Sequence, residues 1–284
     1  MSSNEPTILY EDEDLVFLTK PPGWVVNYAD THDEPTMQAW FSDYLLSARQ
    51  AFNWEALVPS DFDEKYGTPE KIWQDRLGMI HRLDKETSGV MVWAKNPGSL
   101  VNLLAQFKNR TTTKIYTCLV HGLFTVKKER IFLPMGRKST NRQLFAVRPD
   151  GREAVTLYEV QKSYGGFNFD KLKEDHYGEA VVKQNVRQKQ INNLYQGFSL
   201  VACEPKTGRT HQIRVHMAHL KHPLVGDKTY NSTSKQRLDA IWCPRQFLHA
   251  SSLEIEHPRT GKILKVECPL TEDLSEALKF LSYR

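Results

Sequence analysis

The apolar residues of this chain come in short runs, and most runs are rich in β-branched and aromatic side chains instead of repeating every third or fourth residue. GVMVWAK (89–95), KIYTCLVHGLF (114–124), AVTLYEVQKSY (154–164) and GFSLVACEP (197–205) read as strands. TILYEDEDLVFLTKPPGWVVN (7–27) reads as two more around an acidic turn, with Pro21, Pro22 and Gly23 forcing a bend, and 247–270 reads as a hairpin about HPRTGK. Helical spacing is confined to a few places. These are Met37, Trp40, Phe41, Tyr44, Leu45 and Ala48 after a capping Thr36, and Leu100, Leu103, Leu104 and Phe107. A third helix begins near Thr207 or Thr210 with Ile213, Met217 and Leu220 inward, and a short one lies in TEDLSEALKFL. Strands and helices do not alternate as in βαβ folds, so the expected class is α+β. Residues 53–77, with Pro59, Gly67 and Pro69, read as an irregular connection, and 165–196 as a polar hairpin extension or mobile loop.

A chain of 284 residues, 40% of them apolar, is long enough for one large core, and a single domain over 1–284 is expected. The net charge of +4 suits a polyanionic partner without selecting one. Cys118, Cys203, Cys243 and Cys268 lie far apart with no CxxC pair, against both a zinc ribbon and a disulfide framework and in favour of a reducing, cytoplasmic setting. The acidic opening residues do not resemble a signal peptide, and no window of 18 apolar residues occurs, so neither secretion nor membrane spanning is expected.

The densest run of ionisable groups is HRLDKETSG (81–89), where His81, Arg82, Asp84, Lys85 and Glu86 precede a turn and an apolar strand. A carboxylate at Asp84 could be a nucleophile kept ionised by a nearby guanidinium; the competing reading is a loop carboxylate in a structural salt bridge. Tyr116, by alternation on one face with Cys118 and Val120, reads as core, or as a ring stacking on a nucleobase if it lines a cleft. TGRTHQIRVHMAHLKHP (207–223) concentrates Arg209, His211, Arg214, His216, His219, Lys221 and His222. Such a segment at a helix N-terminus suits phosphate, whereas its plainest reading is a solvated basic face. His216, His219 and His222 raise a zinc reading, but there is no HExxH and the spacing drifts around the helix, so no metal site is expected.

Together, HRLDKETSG, KIYTCLVHG (114–122) and TGRTHQIRVHMAHLKHPLVGDKTY (207–230) resemble, in order and spacing, the RluA family of RNA pseudouridine synthases. KPPGW near the start and LHASSLEIEHPRTGK near the end match that family's flanking segments, so the resemblance covers most of residues 8–270. It implies the pseudouridine-synthase fold, a central mixed, mostly antiparallel β-sheet flanked by helices, with an active-site cleft. It further implies Asp84 as catalytic aspartate, Tyr116 as active-site tyrosine, Arg214 as the basic partner of the aspartate, and Arg82 as the residue that helps to displace the target base. His81, Arg209, His211 and Lys228 are the further substrate-binding positions it suggests.

The implied reaction isomerises uridine in RNA: the N1–C1′ bond breaks, the uracil turns, and C5 bonds to C1′. No electrons enter or leave, so neither cofactor nor metal is called for, in keeping with a sequence without GxGxxG, P-loop or metal signatures. Asp84 could attack C1′, act as a base, or add to C6, and the residues do not choose. The target must be flipped or already unstacked. A structured RNA, ribosomal or transfer, is the expected partner, and a monomer the expected state. The chain departs from the family pattern at Asn27, where many relatives have histidine, and in 28–76, a long Trp-containing stretch; 28–76 and 165–196 are the expected insertions. No S4-type domain is recognisable. The rival classes are an RNA-binding module without turnover and a zinc hydrolase.

Overall fold

The computed structural model describes residues 5–27, 36–47, 67–174 and 187–283. In chain order the elements begin with β1 (Ile8–Glu11), β2 (Leu15–Lys20), α1 (Met37–Ser47), α2 (Pro69–Arg76), β3 (Ser88–Ala94), α3 (Pro97–Asn109) and β4 (Thr113–His121). A run of strands follows: β5 (Lys128–Phe132), β6 (Met135–Lys138), β7 (Asn141–Val147), β8 (Val155–Tyr164) and β9 (Gly166–Phe167). Then come α4 (Phe169–Glu174), α5 (Gln188–Leu194), β10 (Phe198–Pro205), α6 (Gln212–His219) and α7 (Thr233–Trp242). The chain closes with β11 (Leu248–Glu256), β12 (Ile263–Glu267), α8 (Glu272–Leu278) and β13 (Leu281–Ser282). The class is α+β, with mostly antiparallel strand pairing. The chain divides into two compact units, Met1–Lys114 with Ala250–Pro269, and Ile115–His249 with Leu270–Arg284.

In the first unit β1, β2 and β3 form an antiparallel meander, with Leu15 opposite Ala94 and Lys20 opposite Gly89. All seven residues of β3 are buried, which explains why its sequence is a continuous apolar run instead of an alternating one. The acidic β1–β2 turn is self-capped, because Asp12 Oδ1 accepts from the backbone N–H groups of Asp14 (2.8 Å) and Leu15 (3.0 Å). The hairpin of β11 and β12 is tied to that turn by His257 Nε2 on Asp12 (2.9 Å) and Arg259 Nε on Asp14 (2.7 Å). Gly89 has φ +122°, and a Cβ there would meet the Ala250 carbonyl oxygen at 2.3 Å. No side chain fits at this second residue of β3, so the close approach of the Ala250 backbone requires glycine there.

Part of the stretch that reads as irregular is helical. Gly67 and Pro69 flank the helix instead of interrupting it: Pro69 opens α2, the Thr68 hydroxyl accepts from Lys71 N–H, and Leu77 closes the helix in the left-handed region at φ 49°. Ile72 and Trp73 are its buried face. Thr36 caps α1 as the sequence suggests, accepting from Ala39 N–H at 3.0 Å. Ala48 and Trp54, and the rest of 48–66, lie outside the described residues.

In the second unit β4, β10, β8 and β5 pair antiparallel in that order, and β6 pairs with β7. One core gathers Phe169, Leu172, Ile191, Tyr195, Phe198, Trp242 and Phe280. The 165–196 stretch is thus no bare extension: α4 and α5 each place apolar residues in this core at i, i+3 or i, i+4 spacing, hidden in the sequence by polar neighbours. Residues 175–186 lie outside the described residues. All four cysteines are buried free thiols. Among the described residues no helix is long and apolar enough to cross a membrane.

Candidate active site

Asp84 lies in the first unit, half-buried in a turn closed by Thr87 N–H donating to its carbonyl at 3.0 Å. The next carbonyl, of Lys85, accepts from Gly23 N–H (2.9 Å) and from Lys20 Nζ (2.8 Å). Lys20 is fully buried, and its ammonium also donates to the Pro21 carbonyl at 2.8 Å. A buried ammonium is tolerated only where its donors are satisfied, so these bonds lock KPPG to the Asp84 turn. The other side is held by His81, whose Nε2 accepts from Val92 N–H (3.2 Å) and whose ring stacks on Phe107 at 4.7 Å.

Burial, then the charge of Lys114, pushes the His81 imidazole down to about 3. His81 therefore offers RNA no charge at neutral pH and acts as a peg for the loop. The ring of unfolded chain binds its proton near pH 6.5, before the folded one does. Stability from this group is thus complete above that pH and is lost progressively as pH falls from 6.5 toward 3. The His81 ring Cε1–H resonance should keep its neutral shift from pH 7 to pH 4; a midpoint near 6.5 would contradict the peg. Arg82 is exposed.

The second unit contributes a different set. Tyr116 sits on β4 opposite Cys203 of β10, and packs against the cluster that contains Cys118, Val120, Ile213 and Met217. α6 starts at Gln212, later than its sequence suggests, because Gln212 ties the loop before it to β8. Its Oε1 accepts from the Thr207 hydroxyl (2.6 Å) and Arg209 N–H (3.1 Å), while its Nε2 donates to the Val155 carbonyl (2.9 Å) and Thr156 Oγ1 (3.0 Å). His211 precedes it in the left-handed region at φ 57°, a conformation that costs roughly 1–2 kcal/mol for a residue with a Cβ.

Arg214, 5% exposed, is held by a carboxylate to which sequence reasoning gave no role. Asp227 Oδ2 and Oδ1 accept from Arg214 Nε (2.7 Å) and Nη2 (3.0 Å), and Nη2 also reaches Thr229 Oγ1 at 2.9 Å. Burial would raise the Asp227 carboxyl, but the Arg214 guanidinium and the N–H groups of Thr229 and Tyr230 hold it below the usual carboxylate range. The guanidinium lies over the Tyr230 ring at 5.1 Å. Tyr230 OH accepts from Phe145 N–H (3.2 Å) and shares a hydrogen bond with His211 Nδ1 (2.9 Å). Asp227 and Tyr230 stand in VGDKTY; the available signal was an acid placed directly after the apolar run LVG.

Of the remaining predicted contacts, Lys228 is exposed, whereas Arg209 is half-buried with Nε donating to the Glu153 carbonyl at 2.9 Å. The three histidines do not converge. His216 is fully buried between Thr156 Oγ1 (2.9 Å) and the Leu133 carbonyl (3.0 Å), His219 is exposed, and His222 bonds the His121 carbonyl at 2.9 Å. Among the described residues, Asp12, Asp14 and His257 form the one group of potential ligands close enough for an ion, and they are engaged in the turn described above.

The model of the RNA pseudouridylate synthase family matches residues 14–219. The chain is 33% identical over 274 residues to the uncharacterized RNA pseudouridine synthase YlyB of Bacillus subtilis, covering 96% of this chain and 72% of that protein. It is 33% identical over 287 residues to ribosomal large subunit pseudouridine synthase D of Pseudomonas aeruginosa, covering 98% and 72%. In fold it is similar to human RNA pseudouridylate synthase domain containing 4, with a TM-score of 0.63, 19% identity, and 96% and 91% of the two chains covered.

Proposed function

This chain belongs to the RNA pseudouridylate synthase family, and from that premise we propose that Asp84 is the carboxylate with which it converts uridine in RNA to pseudouridine. The observation that carries the assignment is the anchoring of the Asp84 turn by Lys20, Gly23 and His81. A reacting group must be held in one geometry by rigid neighbours, and a merely solvated loop carboxylate needs no such anchors. Each route open to Asp84 requires the ionised form: attack on C1′, assistance to the departing uracil, or addition at C6. Arg214 is the proposed ion partner of Asp84. Its orientation is set by Asp227, because a guanidinium gripped at one edge presents its other donors in a fixed direction.

Tyr116 stacks on the uracil in this reading and serves in removal of the C5 proton. C1′ and the glycosidic bond are enclosed in a stacked helix, so the target nucleotide is flipped out and Arg82 takes the vacated space. Arg209, His211 and Lys228 contact the RNA backbone. The names of relatives such as that of Pseudomonas aeruginosa make large-subunit ribosomal RNA the first substrate to test, with transfer RNA the alternative.

The test is release of tritium from transcripts labelled at C5 of uridine, with pseudouridine mapping in cells with and without the gene. Large-subunit RNA should release tritium and lose a pseudouridine in the deletion strain; release from transfer RNA alone would reassign the substrate. Tyr116→Phe keeps the stacking ring and removes the hydroxyl. It should leave RNA affinity nearly intact while slowing tritium release roughly 10²-fold or more, the scale of a lost proton-transfer group. An unchanged rate would return Tyr116 to a packing role.

A further inference from the structure

In the second unit the residues that hold Arg214, namely Asp227, Thr229 and Tyr230, lie on the turns between α6 and α7. A loop places a functional group in one geometry only where something rigid holds the loop. Here that holder is Asp239, fully buried on α7. Its Oδ2 accepts from Gly226 N–H (3.0 Å) and from Asn231 Nδ2 (3.0 Å). Gly226 immediately precedes Asp227 and Asn231 immediately follows Tyr230, so one oxygen fastens both ends of the segment that grips the guanidinium.

Asp239 is itself held from the core. Its Oδ1 accepts from Tyr195 OH (2.7 Å), which in turn accepts from Trp242 Nε1 (3.1 Å), and His121 Nε2 lies 2.8 Å from Oδ2. His121 belongs to β4, the strand that bears Tyr116, and Tyr195 ends α5. An ionised carboxylate only accepts, and each of these neighbours can donate. A buried charge is a weak device for stability, since apolar packing of similar volume often serves as well. What it supplies that apolar packing lacks is direction, because a hydrogen bond fixes angles as well as distances. Gly226 has φ +72°, and a Cβ there would run into the Arg245 carbonyl, so the backbone passes Asp239 by one narrow path.

We propose that Asp239 is a positioning residue for the reaction, fastening the loop at Gly226 and Asn231 so that Asp227 and Tyr230 present the Arg214 guanidinium in one orientation. The inference rests on the reading of Arg214 as a member of the active site.

The test is steady-state tritium release from C5-labelled uridine in a transcript that the wild-type protein turns over, with kcat and KM measured separately. Asp239→Asn turns an acceptor-only group into one whose NH2 faces other donors. Asn231→Ala removes one end of the clamp and leaves the buried carboxylate with its core partners. Both should lower kcat by about 10- to 10²-fold, up to the scale of a reacting group misplaced by about 1 Å, and KM should stay within about twofold of wild type, as when an interaction made only in the transition state is lost. In spectra of protein carrying isotope-labelled arginine, the Arg214 Nε–H signal, assigned by its absence from Arg214→Lys, should shift and exchange faster with solvent in both variants. Ile241→Val trims the core on the same helix and serves as the control: it should lower the melting temperature and leave kcat near wild type. If Asp239→Asn does not fold, Asn231→Ala decides. With Arg214→Lys inactive, a wild-type kcat in Asn231→Ala or in folded Asp239→Asn would overturn the proposal. So would an equal loss of kcat in Ile241→Val, which would trace the effect to stability. Wild-type release by Arg214→Lys would instead overturn the reading of Arg214, and the proposal with it.

Discussion

Asp84→Asn should abolish release of tritium from C5 of uridine in RNA, a loss on the order of 10⁴-fold or more, the scale on which removal of a nucleophile acts in other enzymes. The substitution keeps the size of the side chain and much of its hydrogen-bonding capacity but removes the charge. An amide is a very poor nucleophile and does not stabilise positive charge developing at C1′. The turn itself should survive, because the bonds to the backbone carbonyls of Asp84 and Lys85 are kept by the substitution. RNA affinity should be equal to wild type or higher, with one less negative charge beside phosphate. Near wild-type release would remove Asp84 from the reaction; tight binding without release by the wild-type protein on every cellular RNA would favour a binding module.

Asp227→Ala should cost about 3–5 kcal/mol of stability, the usual consequence of leaving one member of a buried ion pair uncompensated. Arg214 would keep its charge at 5% exposure while losing both bonds to Asp227, and the N–H groups of Thr229 and Tyr230 would lose the oxygen that accepts from them. Urea unfolding followed by fluorescence reads the loss. Arg214→Met/Asp227→Leu should regain much of it, since an apolar pair of similar volume is often as stable as a buried salt bridge. Turnover should stay absent in that double variant, which separates the catalytic use of Arg214 from its place in the core. A shift below about 1 kcal/mol for the single variant, typical of a surface pair, would mean that Asp227 does not hold the arginine.

The elements with a local signature were legible in the sequence. β2 and β3 were visible as apolar runs bounded by Pro, Gly and charge, and α3 as Leu100, Leu103 and Phe107 on one face. The order of the chemical motifs led to the family without any structural help. Where the local pattern was diluted, reading failed. α2 is obscured in the sequence because Pro69 and Gly67 resemble breakers although they stand at the helix entrance, and α4 and α5 because a few inward apolar residues are embedded among charges.

Partnerships between distant residues were a different matter. His81 is a charged-looking residue in a charged-looking motif, and only its burial against Phe107 makes it a neutral peg. Lys20 looks like a surface lysine of a turn, yet it is fully buried on the carbonyl of Lys85. Arg214 finds Asp227, and His121 finds Asp239, 118 residues away. Helix and strand patterns are set by neighbours within a few positions, where periodicity carries the information. A buried charge is instead satisfied by whatever group the folded chain brings within about 3 Å. The amino-acid order therefore specified the kind of fold and the family, while tertiary packing decided which carboxylate grips Arg214 and which histidine stays neutral.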